Sequence, residues 1–261
     1  MARIALILSA SPAFLFPRLN RYRSARIFLT MSLPVAIIQF ETPPENVMAR
    51  VGEQHQWFVA ATGLRPDDYL VVRPDLGEAL PNPASLSAAI LSGSWAMVTD
   101  HAEWSERSAA WIRSAMDHQL PLLGVCYGHQ LMAYALGGVV DDNPRGWEGG
   151  LQQVTRHADC AGDPLLTILP AQFSAWLSHR QSVLQPPEGA RVIASSALDD
   201  CQIVRYSPQA LSVQFHPEFT LEIMTACLQT SEQGDVPVWP LRLLQAFCQQ
   251  YHSADKRAAS L

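Results

Sequence analysis

PLLGVCYGHQLMAYALGG, residues 121–138, joins an apolar run of strand length to a cysteine and then to a helix-length segment closed by two glycines. Pro121–Val125 reads as a buried strand, and Tyr127–Gly138 as a helix stopped by Gly137 and Gly138. Cys126 stands at the junction, with Gly124 two residues before it and Gly128 two after. That is the layout of a nucleophile elbow, with sulfur in place of a serine oxygen. Such a turn needs small neighbours, and it projects its side chain at the carboxyl edge of the sheet, where α/β proteins bind ligands. The helix N-terminus favours a thiolate through its partial positive charge and free N–H groups. Read alone, the cysteine fits a small buried core residue equally well.

Outward from this stretch the pattern alternates. VAIIQF (35–40), YLVVR (69–73) and AAIL (88–91) read as strands. Residues 45–62 place Val47, Val51, Phe58 and Val59 at helical intervals, with Gly63 as the stop. Residues 103–119 form a second helix with Trp104, Ser108, Trp111, Ile112, Ala115 and Met116 on one face. This order predicts an α/β fold, a mostly parallel sheet flanked by helices on both faces. From 150 to 215 the chain instead reads as extra strands: LQQVTRH, FSAWL, RVIASS, CQIVRY and ALSVQF, separated by polar or Pro/Gly turns. Residues 221–229 and 239–251 read as closing helices.

The last of those strands runs into ALSVQFHPEFT (210–220). His216 precedes a proline, which favours extended backbone. In extended chain, positions two apart point the same way, so His216 and Glu218 share one side. A carboxylate there fixes the imidazole tautomer and stabilises the imidazolium, as in a catalytic triad. His-Pro-Glu alone also fits a surface loop. Together with G-x-C-x-G ninety residues earlier, it points to a Cys-His-Glu hydrolase.

GVCYGHQ together with FHPEF resembles the class I glutamine amidotransferase family over roughly residues 35–220. The nearest type is a stand-alone protein like the glutaminase part of GMP synthetase. The resemblance implies a flavodoxin-like three-layer fold with extra antiparallel strands. It implies hydrolysis of the γ-glutamyl amide of glutamine through a cysteinyl thioester, with ammonia released to a separate synthetase partner. Cys126 would be the nucleophile, His216 the base and Glu218 its orienter. Tyr127 and Gly93 would supply the oxyanion-hole N–H groups, although Gly93-Ser94-Trp95 departs from the glycine pair or Gly-x-Gly frequent in the family. Gln130, Ser178 and Gln181 would contact substrate, Gln181 standing where an aspartate is common. His179 reads as a loop-packing residue. The alternatives are a γ-glutamyl peptide or conjugate hydrolase with the same triad, and a non-catalytic regulatory module on the same scaffold.

The bulk numbers fit that reading. The 261 residues are 48% hydrophobic and 16% charged, ordinary for a globular protein. A net charge of −6 argues against a nucleic-acid or anionic-membrane surface. Lys256 is the single lysine, in a polar tail, which excludes a P-loop and a pyridoxal Schiff base. No cofactor or metal is expected. Five cysteines without a CxxC point to a reducing, cytoplasmic setting rather than a disulfide scaffold. No apolar run reaches the roughly 20 residues of a membrane span. Trp95, Trp104 and Trp111 are expected to serve core and interface packing. Residues 1–31, with four arginines in PRLNRYRSARIF, are expected to be a poorly ordered extension or to precede the true start. The amidotransferase-like domain is expected to run from 32 to 253, and 254–261 to form the polar tail.

Overall fold

Short, wholly apolar strands dictate a sheet covered on both faces, because each side chain on either face must leave water. The computed structural model describes residues 32–157, 160–229 and 236–252. The first half contains β1 (Val35–Ile38), α1 (Glu45–Val51), α2 (Gln54–Thr62), β2 (Tyr69–Val72), β3 (Ala88–Leu91) and α3 (Glu103–Asp117). The strand and helix that flank Cys126 follow as β4 (Leu122–Val125) and α4 (Tyr127–Ala135). Then come β5 (Val139–Asp142), β6 (Glu148–Arg156), β7 (Gln172–His179), β8 (Gln181–Gln185) and β9 (Arg191–Ser195). The last elements are β10 (Ile203–Arg205), β11 (Ala210–Val213), α5 (Leu221–Leu228) and α6 (Val238–His252).

Nine strands form one sheet in the order β2-β1-β3-β4-β11-β10-β9-β6-β7. From β2 to β11 all neighbours are parallel, and from β11 to β7 all are antiparallel. The fold is therefore the expected α/β class, a mostly parallel core with antiparallel strands added. Alternate residues of the parallel strands enter two cores. Val35, Ile37, Ile90 and Val125 pack with Phe58, Leu244 and Phe247 on one face. Ala36, Ile38, Leu91 and Leu122 pack with Ile112 and Leu131 on the other. Burying each such large side chain contributes roughly 1.5–3 kcal/mol, which holds strands of four residues in place.

Two local readings differ from the sequence expectation. The helix expected over 45–62 is broken into α1 and α2, because Gly52 adopts φ +74°. The Glu53 N–H then donates to the Gln56 side-chain oxygen at 2.9 Å, starting α2 afresh. The second difference is an additional two-stranded antiparallel sheet of β5 and β8, over stretches that the sequence does not mark as strands. The expectations for residues 1–31 and 254–261 fall outside the described residues. Among the described residues no helix is long and apolar enough to cross a membrane.

Candidate active site

The carboxyl ends of the parallel strands meet at one open pocket, lined among others by Gly93, Cys126 and His216. Cys126 enters it from the end of β4. Its backbone takes φ +51° and ψ −102°, a conformation that is costly for a residue with a Cβ. Three hydrogen bonds hold this turn. The Cys126 N–H donates to Val213 O at 2.9 Å, the Gly128 N–H to Ser92 O at 3.0 Å, and the Gln130 N–H to Cys126 O at 3.1 Å. The flanking glycines are required by space. A Cβ at Gly128 would run into the Leu91 carbonyl, and one at Gly124 would sit 2.6 Å from the Gly128 carbonyl oxygen. The Cys126 thiol lies 3.8 Å from the Ser178 carbonyl.

His216 follows β11, the strand beside β4 in the sheet. Its N–H donates to Trp176 O at 2.9 Å, which fixes the loop onto β7. Its Nδ1 lies 2.9 Å from Glu218 Oε1, but the two meet across a turn at Pro217 and Glu218 and not along the extended chain expected from the sequence. That leaves Nε2 as the nitrogen free for chemistry. The ring stacks on Phe219 at 3.9 Å between centroids and 16° between planes, which limits its rotation. Glu218 is buried and does not reach the pocket. Burial lowers the proton affinity of the His216 imidazole. The charges of Glu218 and Cys126, and hydrogen bonds to both, outweigh it and raise the pKa to about 10.

Gly93, just beyond β3, abuts both partners. A Cβ there would lie 3.2 Å from His216 Cε1 and 3.8 Å from the Cys126 Cβ. Among the described residues the N–H groups of Gly93 and Tyr127 have no protein acceptor. The Tyr127 ring points away from the pocket centre into the core, its hydroxyl 2.6 Å from Ser105 Oγ. Gln130, Ser178 and Gln181 also line the pocket. The Gln130 amide nitrogen is committed to Gln181 O at 2.7 Å and Gln214 Oε1 at 2.9 Å. The Gln181 side chain donates to Thr99 Oγ1 at 2.7 Å, while its own buried oxygen has no partner among the described residues. His179 does pack the loop from behind. Its Nδ1 meets Gln181 O at 2.9 Å and its Nε2 meets Glu148 Oε2 at 3.0 Å. Burial raises the neighbouring Asp199 carboxyl.

Every site residue expected from the sequence thus reaches this pocket or directly supports it. Other contributors carry no motif. Gln54, Trp57, Trp147 and Arg180 line the pocket. Trp104 and Trp111 pack in the core as expected, whereas Trp95 lines the pocket instead. Glu41 stands just behind it, bonded to the loop after Gly93. The usable signal is position, since each of Glu41 and Ser92–Trp95 follows the carboxyl end of an apolar strand. Among the described residues, no three His, Cys, Asp or Glu side chains are placed to hold a metal ion.

Comparison with known proteins gives consistent likenesses. The family model for glutamine amidotransferase class-I matches residues 71–230. The chain is 38% identical over 132 residues to a subunit of the glutamine-hydrolyzing GMP synthase from Saccharolobus solfataricus, covering 49% of this chain and 65% of the relative. It is 27% identical over 175 residues to gamma-glutamyl peptidase 5 from Arabidopsis thaliana, covering 66% of this chain and 65% of the relative. The matched stretches span just under two thirds of these two relatives. In fold it resembles a glutamine amidotransferase from Methylobacillus flagellatus, with a TM-score of 0.68 and 21% identity, covering 84% of this chain and 96% of that one.

Proposed function

The chain belongs to the class I glutamine amidotransferase family, and on that premise we propose that it hydrolyses a γ-glutamyl amide, that of glutamine, through a thioester on Cys126. The observation that carries the proposal is the contact of His216 Nδ1 with Glu218 at 2.9 Å, beside a cysteine held in an elbow. The thiol proton passes to His216, whose raised pKa holds it as imidazolium, and the sulfur then attacks the amide carbon. The tetrahedral oxyanion is met by the N–H groups of Tyr127 and Gly93. His216 then gives its proton to the nitrogen, the C–N bond breaks, and ammonia leaves. Water, deprotonated by His216, attacks the thioester and releases glutamate with the thiol restored. Glu218 holds the tautomer that leaves Nε2 for both transfers. Gln130, Ser178 and Gln181 hold the amino-acid end of the substrate, and the ammonia passes to a separate synthetase partner. Five cysteines with no CxxC among them support a reducing, cytoplasmic setting.

A second reading is favoured by the pocket mouth. Trp147 and Trp95 are 57% and 37% exposed there, more aromatic surface than an ammonia leaving group can use. The leaving group is then an amino acid or another amine, and the substrate a γ-glutamyl peptide or conjugate. Mass spectrometry after 6-diazo-5-oxo-norleucine treatment, with release of glutamate from glutamine and from γ-glutamyl dipeptides, tests both. We expect an adduct on Cys126 and turnover of one substrate class. Absence of adduct and of any turnover would leave only a non-catalytic module.

A further inference from the structure

We infer that Glu41 is a positioning residue for the oxyanion hole: its carboxylate holds the loop that aims the Gly93 N–H at the reacting carbonyl. The inference rests on the thioester reading given above. Glu41 follows β1, which lies beside β3 in the sheet, so it stands next to the turn that leaves β3. One of its oxygens, Oε2, accepts three hydrogen bonds from that turn. The Trp95 N–H lies at 2.6 Å, the Ser94 hydroxyl at 2.8 Å and the Ala96 N–H at 3.0 Å. Bonds to an ionised acceptor are about twice as strong as neutral ones, so three on one carboxylate fix a loop firmly.

The anchor is itself braced. The Glu41 carbonyl accepts from Gln39 Nε2 and from Gln54 Nε2, both at 3.0 Å. Gln54 in turn borders Gly93, its Oε1 lying 3.5 Å from where a Cβ would stand. On the other side the Ser92 hydroxyl donates to the Gly93 carbonyl at 2.7 Å. The Gly93 carbonyl is thus held on its own partner, and the residues after it are held by Glu41. Between these two ties the Gly93 N–H is left without a protein acceptor among the described residues, beside Cys126 and His216. A loop with a second glycine can reach such a geometry through backbone freedom. Here Ser94 and Trp95 replace that freedom, and a carboxylate from a neighbouring strand supplies the constraint.

The test compares two reagents on the full-length protein. Acylation of Cys126 by p-nitrophenyl acetate forms a tetrahedral oxyanion before p-nitrophenolate leaves. Alkylation by iodoacetamide is a direct displacement of iodide and forms none. In Glu41→Ala we expect acylation to slow by about 10- to 100-fold, with alkylation within about twofold of the wild type, since losing a whole oxyanion donor costs about 10²–10³-fold. Glu41→Gln, which keeps an acceptor oxygen and the shape, should fall between. An unchanged ratio of the two rates in both variants overturns the inference. So does an equal loss of both reactions, which means general collapse, or no acylation of the wild type. Wild-type acylation without turnover of any γ-glutamyl amide would instead overturn the substrate reading and leave the role of Glu41 intact.

Discussion

Cys126 and His216 carry opposite kinds of constraint, one in the backbone and one in charge. At φ +51° a side chain costs roughly 1–3 kcal/mol of strain, while glycine tolerates that backbone at about 0.5–1 kcal/mol of added unfolded-state entropy. Cys126→Gly is therefore expected to be no less stable than Cys126→Ala, the reverse of the usual order, with turnover lost in both. Urea denaturation midpoints decide it, and a clear advantage for the alanine variant would refute the strain. For His216 the sign is set by Glu218. The raised pKa, about 10, keeps the imidazolium that protonates the leaving amine well into alkaline solution. The rate should hold past neutrality and fall as pH approaches 10. Glu218→Gln removes the largest contribution that raises the pKa, so the alkaline limb should move to lower pH. The rate itself should drop by about 10²–10⁴-fold, as when a triad carboxylate is neutralised. An alkaline limb that stays in place would show that Glu218 does not set the charge of His216.

At the scale of the element, the β4–α4 junction is a close fit of three backbones. α4 approaches β3 so nearly that a Cβ on Gly128 would run into both the carbonyl and the Cβ of Leu91. Gly128→Ala must push the helix away from the strand, and overpacking of this kind costs about 1–3 kcal/mol. The same shift moves the helix N-terminus, so turnover of a γ-glutamyl amide should fall with the melting temperature. Wild-type stability in this variant would contradict the close approach. This junction is legible in the sequence because strand, nucleophile, glycines and helix are consecutive in the chain. The same holds for His216 and Glu218, two residues apart in the chain, although a turn brings them together where extended backbone was expected. The break between α1 and α2 is not legible, because the apolar spacing of Val47 to Val59 runs straight through Gly52. Nor is the β5–β8 sheet. Its strands are four and five residues long, and Val139 and Leu184 are exposed, so no alternation of buried and open positions marks them.

At the scale of the whole molecule, the site depends on strand order, which the local pattern does not contain. Glu41 and Ser94 are 53 residues apart and meet only because β1 lies beside β3. Likewise Trp147 and Trp95 reach one pocket from opposite halves of the sheet. The same assembly places an ionisable group where it cannot be charged. His129, on α4, is fully buried between the helix and β11. Its Nδ1 contacts Ser212 Oγ at 2.6 Å, and its Nε2 has no partner among the described residues. Burial, with a smaller contribution from His179, lowers its pKa to about 3. A histidine whose folded pKa is depressed contributes stability above its unfolded value, near 6.5, and loses it as pH falls toward the folded value. One proton linked in this way is worth about 1.4 kcal/mol per pH unit, so the fold should lose about 2 kcal/mol between pH 6.5 and pH 5 from this residue alone. His129→Gln keeps a hydrogen-bonding side chain of similar reach without a titrating group. Its stability should change less over the same interval, even if it starts lower. Denaturant titrations of both proteins at pH 7, 6 and 5 read the difference directly. Parallel slopes would mean that His129 is not the group that couples this fold to acid.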